Sequence, residues 1–279
     1  MSRIEEALRK VSNRGAVNGQ KDRLPEPQGE LPRRGNLHVP QKKDMHKLLE
    51  VDEPIQLNNL LLLAGSDKEA KGAITEEFNK LKSSIIALTR GEKFLNTLMV
   101  TSTVSEEGKT ITALNLAMAM AREHDHTVLL VDADLRRPSV CRYLGIESQY
   151  GLAHCLEEDV PIEKALIKTG IGKLVVLPAG KAIEDPVDLL SSSRMTEIIY
   201  ELKGRYPDRY IIFDTPPAMP FADAKVLAAV LDGLLFVVRD GKVARDALQK
   251  TLDEIEKYNL LGIVYNDVKS IVPKKDYYY

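Results

Sequence analysis

The segment Thr101-Ser102-Thr103-Val104-Ser105-Glu106-Glu107-Gly108-Lys109-Thr110 constrains this chain more than any other. It follows a short apolar run, Leu98–Ser102, and leads into an Ala/Leu-rich stretch with Ile111, Leu114, Leu116, Ala117 and Met120. A strand, a loop closing on Gly-Lys-Thr and a helix, in that order, form the setting of a phosphate-binding Walker A loop. The first N–H groups of a helix have no partner within it and carry partial positive charge, so they suit phosphate oxygens. Ser105, Glu106, Glu107, Gly108, Lys109, Thr110 and Ile111 are therefore the candidate nucleotide contacts. In that setting Lys109 adds a point charge to the β- and γ-phosphates and Thr110 offers its hydroxyl to Mg2+. The loop departs from the usual pattern. Thr103 stands where the first glycine is expected, and Glu106 and Glu107 put two acids beside an anion site. Both side chains have to point away from the ligand.

Two further segments end in carboxylates. Val128-Leu129-Leu130-Val131 runs into Asp132-Ala133-Asp134-Leu135-Arg136-Arg137-Pro138, and Tyr210-Ile211-Ile212-Phe213 runs into Asp214-Thr215-Pro216-Pro217. Mg2+ takes hard oxygen ligands, usually one or two carboxylates with phosphates and waters. Thr110, with Asp132 or Asp214, supplies the protein share of such a set. An aspartate that merely ends a strand is common, but three such features in phosphate-loop order point to one site.

The apolar runs Leu98–Ser102, Val128–Val131, Leu174–Leu177, Tyr210–Phe213, Leu234–Val238 and Gly262–Tyr265 do not alternate with polar residues, as expected of strands covered on both faces. Helical stretches separate them. The expectation is an α/β fold of the P-loop type, a mostly parallel sheet flanked by helices. Ligands of such sheets bind beyond the carboxyl ends of the strands. Upstream the character changes. Residues 1–11 have the spacing of a short amphipathic helix. Residues 12–73 mix Pro, Gly and charge without a period and are expected to be a mostly disordered linker. The globular part is expected over 74–272, with Thr75 capping its first helix, and a tyrosine-rich tail over 273–279.

The balanced charge, a formal net of -2, gives no basic surface for nucleic acid. Cys141 and Cys155 have neither metal-ligand spacing nor the number of a disulfide framework, which fits a reducing, cytoplasmic setting. No apolar run reaches the ~20 residues of a membrane span.

On these motifs the chain resembles the bacterial tyrosine kinases of the capsule and exopolysaccharide group, within the deviant Walker P-loop proteins. Asp132-Ala133-Asp134-Leu135-Arg136-Arg137-Pro138 is similar to their Walker A′ motif, and Asp214-Thr215-Pro216-Pro217 to their Walker B motif. The resemblance extends through Leu177-Pro178-Ala179-Gly180, the 186–192 segment and Gly262–Asp267. The related division-site and partition ATPases carry a second lysine early in the loop, where this chain has Val104. The resemblance implies phosphoryl transfer from ATP to tyrosine, with Tyr277, Tyr278 and Tyr279 as acceptors. Lys109, Asp132, Asp134 and Asp214 become the catalytic candidates, Asp132 first as base and Asp134 next. Arg136 or Arg137 is placed at the transferred charge, or else in an ion pair, and Asn266 near the adenine. It further implies a transmembrane polysaccharide co-polymerase as activator, a cognate tyrosine phosphatase, self-association, and a cytoplasmic position held at the inner membrane by that partner. The family's assembly helix reads Glu-x-x-Arg-x-x-Arg. Here those positions are Glu76, Asn79 and Lys82, which puts ring assembly in question. The alternatives are a non-kinase ATPase acting as a dimerisation switch for a membrane or cell-positioning partner, and a module that has lost nucleotide binding.

Overall fold

The buried hydrophobic runs pair side by side into one eight-stranded sheet. The computed structural model describes residues 49–50, 68–123, 127–205, 208–219 and 221–268. In chain order the elements are β1 (Leu49–Glu50), α1 (Lys68–Thr89), β2 (Thr97–Ser102), α2 (Lys109–Ala121), β3 (Val128–Asp132), α3 (Val140–Leu144), α4 (Leu152–Glu157) and α5 (Ile162–Ala165). They continue with β4 (Ile167–Lys168), β5 (Leu174–Leu177), α6 (Val187–Leu190), α7 (Ser193–Arg205), β6 (Tyr210–Asp214), α8 (Asp223–Ala228), β7 (Gly233–Arg239), α9 (Arg245–Ile255) and β8 (Leu260–Asn266).

The strand order is β1-β4-β5-β3-β6-β2-β7-β8. Strands β5, β3, β6, β2, β7 and β8 are mutually parallel, as the non-alternating runs predict. The short β4 lies antiparallel to β5. Each side of the sheet carries its own core. Leu98, Val100, Leu130, Ile212 and Val237 point to one face, where Leu114, Leu116 and Met118 of α2 and Ile85 of α1 cover them. Met99, Leu129, Val131, Phe213 and Phe236 point to the other, under Met195, Ile198, Ile199 and Leu202 of α7 and Leu227 of α8. Successive strand residues thus serve opposite cores, which is why the middles of these strands are apolar on both faces.

Two boundaries differ from the sequence reading. Helix α1 begins at Lys68, and Thr75 sits inside it rather than at its cap. Lys68-Glu69-Ala70-Lys71 are good helix formers, so the helix propagates through them despite Gly72. Within the expected linker, Leu49 and Glu50 pair with Ile167 and Lys168 as a two-residue strand. The expected helix over 1–11, most of the linker, and Tyr277, Tyr278 and Tyr279 lie outside the described residues. Among the described residues no helix is long and apolar enough to cross a membrane.

On α1, Lys82 makes an ion pair with Glu123 just beyond α2, at 2.5 Å. At the far end of the helix, the Thr89 hydroxyl and the Tyr210 hydroxyl are 2.8 Å apart in the core. These contacts fix α1 against β6 and against the far end of the helix that leaves the phosphate loop.

Candidate active site

Strands β2, β3 and β6 are neighbours, so their carboxyl ends open on one place. The turn from β2 into α2 passes through Gly108, whose φ of 94° is a left-handed conformation that glycine adopts without strain. A Cβ at that position would lie 2.1 Å from the Asn266 side-chain nitrogen, so the close approach of β8 adds a second demand for glycine. The loop after β6 is strapped to the phosphate loop by backbone bonds: Ala218 N–H donates to Ser102 O at 2.8 Å and Met219 N–H to Thr103 O at 3.1 Å.

Lys109 begins α2 and turns its ammonium into the acids. Its Nζ lies 2.7 Å from Asp134 Oδ2 and 3.4 Å from Asp214 Oδ1. The Thr110 hydroxyl donates to Asp214 Oδ2 at 2.7 Å. Asp132 and Asp214 are register partners on adjacent strands. One oxygen of Asp132, Oδ2, accepts the N–H groups of Ser139 and Val140, each at 3.0 Å. Its other oxygen, Oδ1, is buried with no hydrogen-bond partner, as is the Thr103 hydroxyl.

The electrostatics follow from one cation among three buried carboxylates. Burial, then the charge of Asp214, pushes the Asp132 carboxyl up to about 7, against the pull of the Val140 and Ser139 N–H groups and of Lys109. Burial likewise raises Asp214, with Lys109 and the Thr110 hydroxyl opposing it. Burial alone would lower the Lys109 ammonium, but Asp214, Asp134 and Asp132 together outweigh it and raise it. The site therefore holds an excess of negative charge, and a bare triphosphate would be repelled by it. A hard divalent cation resolves both: it matches carboxylate and hydroxyl oxygens and bridges to phosphate. Among the described residues no three His, Cys, Asp or Glu side chains form a self-sufficient metal cage. The Thr110 hydroxyl and the Asp214 carboxylate, 2.7 Å apart, fit such a cation.

The other candidates fall in different places. Asp134 faces Lys109 through Oδ2, and its Oδ1 accepts the Arg137 N–H at 3.1 Å, which closes the turn after β3. Arg136 is held by two acids, a backbone carbonyl and a ring. Its guanidinium meets Asp223 at 2.6 Å, Asp185 at 2.8 Å and the Glu184 carbonyl at 2.6 Å, and its carbon lies 4.3 Å from the Phe221 ring centroid. These contacts are the ion-pair role expected for this arginine. Asn266 donates its amide to the Glu107 carbonyl at 2.9 Å, so it holds the loop. Glu106 is exposed and pairs with Lys242 at 2.8 Å. Glu107 is wholly buried and turned inward. The sequence reading missed Ser139, whose N–H holds Asp132 and whose hydroxyl lies 3.3 Å from that of Thr110. A serine just ahead of a helical stretch is the only signal that pointed to it.

Comparisons with known proteins bear on this arrangement. A family model described as an AAA domain matches residues 105–262. The tyrosine-protein kinase YwqD of Bacillus subtilis is 34% identical over 203 residues, which is 72% of this chain and 84% of that protein. Among solved structures, the chimerical protein CapA2B2 superposes with a TM-score of 0.68 at 26% identity, covering 78% of this chain and 93% of the other. The kinase domain of the Escherichia coli tyrosine kinase ETK gives 0.65 at 28% identity, covering 74% of this chain and 80% of the other.

Proposed function

We propose, from the fact that this chain belongs to the bacterial tyrosine-protein kinases built on the P-loop fold, that it uses Mg-ATP to phosphorylate tyrosines including Tyr277, Tyr278 and Tyr279. The enzyme is a protein-tyrosine kinase. The observation that carries the nucleotide and metal assignment is the meeting of Lys109 and Thr110 with Asp132, Asp134 and Asp214 at the ends of three adjacent strands.

Phosphoryl transfer asks a protein for position and charge rather than covalent chemistry. The N–H groups at the start of α2 receive phosphate oxygens, and Lys109 leaves its carboxylates to meet the phosphate charge. Thr110 and Asp214 would hold Mg2+, which when bound neutralises phosphate charge, and Asp132 Oδ1 is left to the incoming tyrosine. A tyrosine hydroxyl, with a pKa of about 10, has to lose its proton as it attacks. Asp132 is the residue to take it, because one oxygen is unengaged and its carboxyl sits near neutral pH, where a general base works best. Asp134 keeps Lys109 and the turn after β3 in place. Each phosphate added to a tyrosine brings about -1.5 to -2 charges, which would expel the product from an acidic site.

The same reading extends to biology. The proposed role is control of capsule or exopolysaccharide synthesis and export, with a transmembrane co-polymerase as activator, a tyrosine phosphatase as antagonist, self-association, and placement at the cytoplasmic side of the membrane through the partner. What supports it is the resemblance of the Asp132–Pro138 and Asp214–Pro217 segments to kinases of that group.

The test is mass spectrometry of the intact chain and its peptides after incubation with Mg-ATP. Wild type should gain phosphate on one or more of the three terminal tyrosines, and Lys109→Ala should gain none. Phosphotyrosine persisting in Lys109→Ala would refute self-phosphorylation at this site.

A further inference from the structure

Glu107 is a fully buried carboxylate with no part in the chemistry above. Its Oε2 accepts the Val104 N–H at 2.7 Å, at the start of the phosphate loop. Its Oε1 accepts the Arg239 N–H at 3.3 Å, at the end of β7. Its own carbonyl accepts the Asn266 amide at 2.9 Å, at the end of β8. One residue therefore joins the loop to itself and to two neighbouring strands.

A buried carboxylate is costly unless its oxygens are hydrogen-bonded, and bonds to an ionised acceptor are the strong kind. Here both oxygens are used, and by backbone N–H groups that cannot move without the strand or loop that bears them. The span across Glu107 then sets where the loop from Val104 to Gly108 can lie. Gly108 presses on Asn266 from the other side, too close for even a Cβ. The adjacent Glu106 carbonyl accepts from the Arg239 guanidinium at 3.3 Å, so β7 grips the loop at two successive residues.

We propose that Glu107 is a positioning residue for nucleotide binding: its carboxylate holds the phosphate loop open at the width the phosphates need, by tying Val104 to the end of β7. This deepens the nucleotide-site reading and does not depend on which group receives the phosphate. Glutamine is nearly the same size but has one acceptor oxygen. In Glu107→Gln one of the two N–H groups faces an NH2 donor, so one tie is lost while the fold's volume is kept.

The experiment measures fluorescent mant-ATP binding with Mg2+ to the purified full chain, and steady-state phosphorylation across ATP concentrations. Glu107→Gln should weaken mant-ATP binding and raise the KM for ATP by roughly tenfold or more, the scale of one lost hydrogen bond to a charged group. Its kcat at saturating ATP should stay within about threefold of wild type, since the catalytic acids are untouched. Asn266→Ala releases the third tie, and should weaken mant-ATP and mant-GTP binding alike with kcat preserved, whereas a lost base contact would weaken only one of the two. It decides the question if Glu107→Gln does not fold. Unchanged ATP affinity in the folded variants, or a fall in kcat with KM unchanged, would overturn the proposal. A wild type that binds mant-ATP but never carries phosphotyrosine would sink the kinase reading and leave the binding comparison for Glu107 intact.

Discussion

Replacing Asp132 with Asn should stabilise the nucleotide-free protein while removing its catalysis. The Asp132 carboxyl is held at about 7 against an ordinary 3.8, chiefly by burial and then by Asp214. At about 1.36 kcal/mol per pH decade, that gap is a penalty of about 4 kcal/mol once the group is ionised. Asparagine keeps an oxygen for the Ser139 and Val140 N–H groups and puts its NH2 on the side where Oδ1 has no partner. The substitution therefore removes the charge while both backbone donors stay paired. The sign follows from proton binding. Between about pH 4 and about pH 7 the folded state holds a proton that the unfolded chain has released, so wild-type stability falls across that window and levels off above it. The variant lacks this loss. Urea denaturation in EDTA at several pH values should show matching midpoints near pH 4 and a gap growing to about 4 kcal/mol by about pH 8, with an unchanged slope. A variant no more stable than wild type at about pH 8, or a gap that does not vary with pH, would refute the argument that this acid is strained in the fold.

Other substitutions probe separate features. Gly108→Ala should cost about 2–3 kcal/mol in urea denaturation, from the left-handed backbone and from pushing Asn266 off the Glu107 carbonyl, and adding Asn266→Gly should recover part of it. Arg136→Ala should cost about 3–5 kcal/mol by the same measurement, because it strands the fully buried Asp223 carboxylate. Arg136→Lys should recover only part of that loss, since an ammonium cannot reproduce the guanidinium fork shared by Asp223, Asp185 and the Glu184 carbonyl.

What was legible in the sequence was whatever is written locally. Leu174–Leu177 and Val128–Val131 declare buried strands by their unbroken apolar character, and Lys109, Asp132 and Asp214 stand at the ends where such strands present their ligands. The pairing of β2, β3 and β6 as neighbours follows from topology, and with it the convergence of the acids. Contacts between distant segments left no local mark. Glu107 reads as an unwelcome charge in a phosphate loop until Arg239, more than a hundred residues later, is seen to hold its other oxygen. Arg136 has the residue type for either phosphate or carboxylate, and only the placement of Asp223 and Phe221 decides which it meets. Leu49 and Glu50 form the edge strand because the free side of β4 offers them a partner, so composition around them says nothing of it. Helix α1 starts early for a different reason: Thr75 is a good cap type, but a cap acts only where the preceding residues decline to be helical.

The in-register placement of Asp132 beside Asp214 also bears on descent. Two like charges buried on adjoining strands are kept only while something selects for them, because either change to a neutral residue relieves the fold. A lineage relieved of phosphoryl transfer would drift toward losing one of the pair while its glycine turn and its sheet persisted. In a distant cousin with an otherwise recognisable loop, the joint survival of both acids is thus a better mark of a working enzyme than the loop itself.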